Sequence, residues 1–170
     1  MPLMRKLNMA TEHRMSVLKN QTSDLLWKGQ IETTHARAKE VSRLADKIIT
    51  VAMSAYEDNI KEKVTVKDAK GKDVTREVVK DGAKKLAARR KIMTLIYDRQ
   101  EEQKRGEKNR EFKARTADVN HPLVEKIFNE YAVKYAERAE EKGVKGGYTR
   151  VLKTSTRKGD NTQMAIIAMV

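Results

Sequence analysis

From Gly143 to Val170 the chain holds one carboxylate, Asp160, against Lys145, Arg150, Lys153, Arg157 and Lys158. A segment with that balance has one internal counter-charge for five cations. It has to fold with its cations at a surface that meets water or an anionic partner. The imbalance extends to the whole sequence, where 37 Lys and Arg face 24 Asp and Glu for a net charge of +13. Charged residues make up 36% of the chain, aromatic residues 5% and apolar residues 39%. A soluble domain ordinarily carries about 25% charged residues, so the core here has to be lean. The absence of cysteine excludes a disulfide scaffold and a thiolate metal site. No run approaches the roughly 18 to 20 apolar residues of a membrane span. Arg5 and Lys6 are not followed by the apolar stretch of a secretory signal. The expectation is a cytoplasmic protein of one domain, residues 1–170, with a basic arm at 1–10.

Helical spacing organises the first half. Met15, Leu18, Leu25 and Leu26, with Thr22 between them, predict one buried helix face over Thr11–Lys28. Thr11 is its expected N-cap and Gly29 its stop. Gln30–Thr34 suits a short strand or an extended link. A second helix is expected from His35 to Tyr56, with Val41, Leu44, Ala45, Ile48 and Ala52 in one stripe. Lys39, Arg43 and Lys47 form a second stripe on roughly the opposite side. Val64, Val66 and Val74 around Gly71 predict a hairpin within 57–81. A third helix is expected over Ala83–Gln103, with Leu86, Met93, Ile96 and Tyr97 on one side, followed by a mobile charged loop over Lys104–Asn120. Pro122 opens a fourth helix whose core face is Leu123, Val124, Ile127, Phe128, Tyr131 and Tyr135, and Gly143 ends it. Residues 143–170 outline a β-hairpin with Gly159 and Asn161 at its turn. The fold class that follows is α+β: about four helices packed in two layers on a small mixed sheet that includes the C-terminal hairpin.

Groups for catalysis are scarce. His13, His35 and His121 each stand alone, without a second His at metal-ligand spacing. Each suits a cap, a surface position or a phosphate neighbour. Gly146-Gly147 is not followed by the Lys-Ser or Lys-Thr of a phosphate loop. The expectation is a protein that is not an enzyme, with no catalytic residue, no metal, no cofactor, no small-molecule substrate and no membrane partner.

Groups for binding a polyanion are plentiful. Tyr148 has the ring to stack on a base, and Arg150, Lys153, Arg157 and Lys158 have the reach for phosphates. The same residues suit a Gly-rich hairpin entry with a solvated basic strand and a core tyrosine. The Lys39–Arg43 stripe suits binding or a solvated helix face, and Arg5, Lys6, His13 and Arg14 suit a basic arm or a loose terminus. Trp27 reads as a packing anchor, and Asp160 as a turn-former. Charge alone also admits an architectural DNA-binding protein.

Specific residues narrow the choice. His13-Arg14, Leu18-Lys19-Asn20, Ile31-Glu32-Thr33-Thr34, Arg37-Ala38-Lys39-Glu40 and Ile48-Ile49-Thr50 resemble the N-terminal half of the bacterial large-subunit ribosomal protein number seventeen family. The resemblance resumes at Ala88-Arg89-Arg90, His121-Pro122-Leu123-Val124, Lys126-Ile127-Phe128, Gly146-Gly147-Tyr148-Thr149-Arg150 and Gly159-Asp160-Asn161. It implies a non-catalytic two-layer domain that binds large-subunit ribosomal RNA near the polypeptide exit tunnel. It also implies neighbouring ribosomal proteins, number thirty-two and number twenty-two. The RNA contacts it implies are Arg5, Lys6, His13, Arg14, Arg37, Lys39, Arg89, Arg90, Tyr148, Arg150 and Arg157, and Lys19, Arg43, Gly146, Gly147, Lys153 and Lys158 complete the expected RNA-binding set. Asn8-Met9 stands where the family often has a Gly-Arg pair, and residues 57–81 and 104–118 look like insertions.

Overall fold

The computed structural model describes residues 5–67, 73–117 and 119–170. Helix α1 (Thr11–Lys28) buries Leu18, Thr22, Ser23, Leu25 and Leu26. Ala10, not Thr11, holds its N-cap position, and Thr11 is its first residue. Gly29 closes it at φ +82°, its N–H donating to the Leu25 carbonyl at 2.8 Å. That left-handed turn is open to glycine at no steric cost. Strand β1 (Gln30–Thr34) leads straight into helix α2 (His35–Met53). α2 buries Val41, Leu44, Ala45, Ile48 and Ala52 while Lys39, Arg43 and Lys47 stand exposed, so the two-sided pattern holds. The helix stops at Met53, short of Tyr56.

Strands β2 (Asn59–Lys67) and β3 (Asp73–Asp81) pair antiparallel, Asn59 opposite Asp81 and Lys67 opposite Asp73. The turn expected around Gly71 lies outside the described residues, as do the first four residues of the arm. An isolated two-stranded ribbon is marginal in water, and its root is clamped to helix α3 (Ala83–Leu95). Asp58 Oδ2 accepts the Lys84 N–H at 2.8 Å, Lys85 Nζ donates to Asn59 Oδ1 at 2.7 Å, and Arg89 pairs with Asp81.

α3 corrects the sequence reading. It buries Lys85, Ala88 and Ile92, with Ile96 just beyond its end, while Leu86, Met93 and Tyr97 are exposed. The small Ala88 suits the side that meets α2, and α3 stops at Leu95 because Ile96 turns extended (φ −128°, ψ 164°) to enter the core. Beyond it, the Tyr97 N–H donates to Ser23 Oγ at 2.9 Å and Arg99 Nε to Asp24 Oδ1 at 2.8 Å. These bonds fix a path that no helix follows. A second correction falls in the stretch expected as a mobile loop: residues Asn109–Thr116 form a short helix, α4. Arg115 binds both Glu101 and Glu107 beside it.

The last helix runs unbroken through α5 (Pro122–Lys126), a π-helical turn (Ile127–Ala132) and α6 (Val133–Lys142). Its buried residues Leu123, Ile127, Tyr131 and Tyr135 repeat every four positions, as do Val124, Phe128, Ala132 and Ala136. A four-residue repeat drifts about 40° per step on a 3.6-residue turn. The wider i→i+5 turn absorbs that drift and keeps both rows on the core. Strands β4 (Thr149–Thr156) and β5 (Gln163–Met169) form the C-terminal hairpin. The sheet order is β1-β5-β4, and both pairings are antiparallel, not mixed. α2 packs on this sheet, where Ala165 and Ile167 are buried and alternate with half-buried Met164, Ile166 and Ala168, and Thr33 is buried on β1.

The clamp at the ribbon's root is testable. A Cβ on Gly82 would collide with the Asp58 carboxylate that caps α3. Gly82→Ala and Asp58→Ala should each lower stability by about 1–2 kcal/mol. The double variant should be little worse than either single one, as read from denaturant midpoints, because both remove the same cap.

Candidate nucleic-acid interface

Residues 5–10 of the N-terminal arm are built against the core. Leu7 (φ +52°) and Asn8 (φ +54°) take left-handed backbone, the Met9 N–H donates to the Lys6 carbonyl at 3.1 Å, and Leu7 packs against the core. Asn is among the few side chains that tolerate this conformation, which accounts locally for Asn8 in the arm. The turn sets Arg5 beside α2, with Arg5 Nε 3.8 Å and Arg43 Nη1 3.4 Å from Glu40 Oε1. The Glu40 side chain is 0% exposed, and its Oε2 has no hydrogen-bond partner among the described residues. A buried carboxylate needs cations, and this one draws two arginines from different elements to one place.

β4 completes the surface. Ser42 Oγ and Thr149 Oγ1 lie 2.7 Å apart, and Thr149 Oγ1 donates to Asp46 Oδ1 at 3.1 Å, which lays β4 along α2 in the opposite direction. Burial raises the Asp46 carboxyl, partly offset by the bond from Thr149. Further along β4, Lys153 is exposed, and its charge reaches His35 at the start of α2. The His35 imidazole is held below its ordinary 6.5, first by withdrawal from water and then by the charges of Lys39, Lys153 and Arg5. Four basic groups from the arm, α2 and β4 thus share one neighbourhood. α2 has no acidic residue in its first turn, so its dipole adds positive potential there. Arg37 is half-buried in the same turn, and Lys6, Arg150 and Lys158 are exposed.

Other expected contacts are differently employed. Tyr148 is 4% exposed and packs on Tyr135 with ring centroids 4.8 Å apart, so it is a core residue and not a stacking platform. Gly146 (φ +102°) and Gly147 (φ +60°) turn the chain to deliver it, while Arg138 Nη2 donates to the Gly146 carbonyl at 2.6 Å. That burial, with Arg138 4.8 Å from the Tyr135 ring centroid, is coupled to Tyr135, whose hydroxyl is pushed up to about 12 chiefly by desolvation. Arg89 is committed internally: its Nη1 and Nη2 donate to the two Glu125 oxygens at 2.6 and 3.2 Å, and it also pairs with Asp81. Arg157 pairs with Asp160 within the β4–β5 turn at 2.5 Å, and this holds the Asp160 carboxyl well below the usual range. His13 is exposed, Arg14 is half-buried with an unpartnered Nε, and Lys19 stands 5.8 Å from the Tyr97 ring. Arg90 is exposed on α3. Sequence reasoning missed Glu40, although a glutamate next to Val41 in the apolar stripe was a visible signal, and it left the role of His35 open.

Comparison with known proteins decides the relationship. The model of the ribosomal protein L17 family matches residues 17–170. The chain belongs to that family. Among its relatives is the large ribosomal subunit protein bL17 of Ruminiclostridium cellulolyticum, 36% identical over 100% of both chains. The bL17 proteins of Acetivibrio thermocellus (34% identical, 100% of both chains) and Fusobacterium nucleatum (35% identical, 98% of this chain and 94% of the relative) are also similar. Among the described residues no helix is long and apolar enough to cross a membrane, and no group of three or more possible ligands gathers to hold a metal.

In this L17-family chain the motif tyrosine is a packing residue, with a checkable consequence. Tyr148→Ala should cost about 3–5 kcal/mol, as for other buried aromatics cut to alanine. Tyr148→Phe should remain within about 1 kcal/mol of the parent in thermal or denaturant unfolding.

Proposed function

We propose that this chain is a structural constituent of the large ribosomal subunit that binds folded large-subunit rRNA near the polypeptide exit tunnel. It does so as one domain, residues 1–170, with the hairpin of 57–81 and the segment 104–118 as insertions, beside ribosomal proteins thirty-two and twenty-two. Membership of the L17 family carries the ribosomal part of this reading. The single observation that carries the RNA part is the surface on which Arg5 and Arg43 meet at Glu40 while Ser42, Thr149 and Asp46 tie β4, with its exposed Arg150 and Lys153, to α2.

The mechanism is electrostatic and geometric. Each phosphate met by a Lys or Arg releases condensed counterions, so affinity falls steeply with salt. A rigid body then offers many weak contacts at high effective concentration. No bond of the partner is made or broken, and none of the residues assigned here acts as an acid, base or nucleophile.

Replacing Arg150 and Lys153 together by Glu should leave the fold intact, since both are exposed. Binding to transcribed large-subunit rRNA should fall at least tenfold and the salt slope should flatten. An unchanged affinity would remove β4 from the interface, and equal affinity for duplex DNA would favour an architectural DNA-binding role.

pH gives a second test. A bound phosphate offsets the cations that depress His35, so its folded value rises on binding and the complex takes up a proton. Affinity should therefore increase as pH falls from about 7.5 through the ordinary histidine range. His35→Gln should flatten that dependence in parallel titrations.

A further inference from the structure

Eight aromatic residues serve this chain, Trp27, Phe112, Phe128 and the five tyrosines, and among the described residues Tyr97, at 41%, is the one that stands exposed while the others are buried or half-buried. Its exposure is not that of a loose end. The residue before it, Ile96, is 5% exposed in the core, and its own N–H donates to Ser23 Oγ at 2.9 Å. The residue after it, Asp98, accepts the Leu123 N–H at 3.3 Å through Oδ1 and faces His121 Nδ1 at 3.0 Å through Oδ2. A backbone fixed on both sides holds an aromatic ring in water.

One cation stands at the ring. Lys19 Nζ stands 5.8 Å from its centroid. Arg90 is exposed on α3 between Leu86 and Met93, each 41% exposed on the face that α3 turns away from the core. Helical spacing puts Leu86, Arg90 and Met93 on one side of α3, which ends just before Tyr97. An exposed ring beside a lysine, next to a helix side that carries Arg90 among apolar groups, suits an unstacked nucleotide: the base needs a flat π face and the phosphate a nearby positive charge. A protein partner of matching charge would need acidic side chains at Lys19 and Arg90, whereas rRNA supplies anions along its whole length.

We infer that Tyr97 is a base-stacking residue, receiving an unpaired nucleobase of large-subunit rRNA with the adjoining phosphates held by Lys19 and Arg90. The inference rests on the RNA-binding reading above and adds to it a second contact region, on α1 and α3.

The test uses the full-length protein and transcribed large-subunit rRNA in filter binding. Tyr97→Ala should weaken binding about tenfold, the scale for one stacked base, with an unchanged melting temperature. Tyr97→Phe, which keeps the ring, should bind as the parent does. Equal losses for both variants would indicate a contact through the hydroxyl and overturn stacking. Parent-like binding by Tyr97→Ala would overturn the inference, and would leave the broader reading intact so long as the Arg150 and Lys153 reversal still loses affinity. If that reversal also binds normally, the RNA reading itself fails. If Tyr97→Ala binds free rRNA normally yet no longer co-sediments with large subunits, a protein neighbour covers the ring and the inference is wrong.

Discussion

Helix α2 has to satisfy two solvents at once, and the rest of the molecule is arranged around that demand. One side is packed by α1, α3, the last helix and the sheet, burying Val41, Leu44, Ala45, Ile48 and Ile49 to 7% exposure or less. The other side carries Lys39, Arg43 and Lys47 into water. Fully burying one such aliphatic side chain stabilises by about 1.5–3 kcal/mol, whereas three like charges along one helix face repel. Apolar packing wins and fixes the helix, so the cations are held in a fixed array that mutual repulsion alone would spread apart.

Glu40 is the point where the two sides meet. It lies on the buried side but carries a charge, and the cations that answer it are Arg5 from the arm and Arg43 from the next helical turn. A solvated glutamate would organise nothing, since exposed pairs contribute little. Withdrawn from water, the same group makes an otherwise independent arm part of the surface. Elsewhere internal acids sort the cations into two populations. Arg89, Arg99, Arg115 and Arg157 have carboxylate partners in the fold, and Arg138 has a carbonyl. Lys39, Arg90, Arg150, Lys153 and Lys158 have no ion-pair partner among the described residues, and it is these that a polyanion would meet.

Periodicity made α1, α2 and the last helix legible, because each buries one continuous stripe. It misjudged α3, where Leu86 and Met93 lie on the side opposite Ala88 and Ile92. Both sides carry apolar groups there, and only the neighbour α2 decides which one is buried. The π turn could have been read from the four-residue repeat of Leu123, Ile127, Tyr131 and Tyr135, which a regular helix cannot keep on one side. The candidate site was half legible. Residue type proposed Tyr148 and the family resemblance proposed Arg89 as contacts, but a tyrosine after two glycines and an arginine that meets acids are equally the parts of a core and a clamp. Partners that come from distant sequence, such as Asp81 and Glu125 for Arg89, leave no local signal.

The surplus charge then explains why so lean a core suffices. A net +13 on a small domain opposes its own compact state, and with 5% aromatic content there is little extra apolar area to set against that. A partner that binds only the folded form shifts the balance by its own binding free energy. A polyanion that neutralised the free cations would remove the repulsion along α2 and at the arm together, so that binding and folding would reinforce each other. The ion pairs at Arg89, Arg99 and Arg115 join distant segments of the chain without drawing on the unpaired cations.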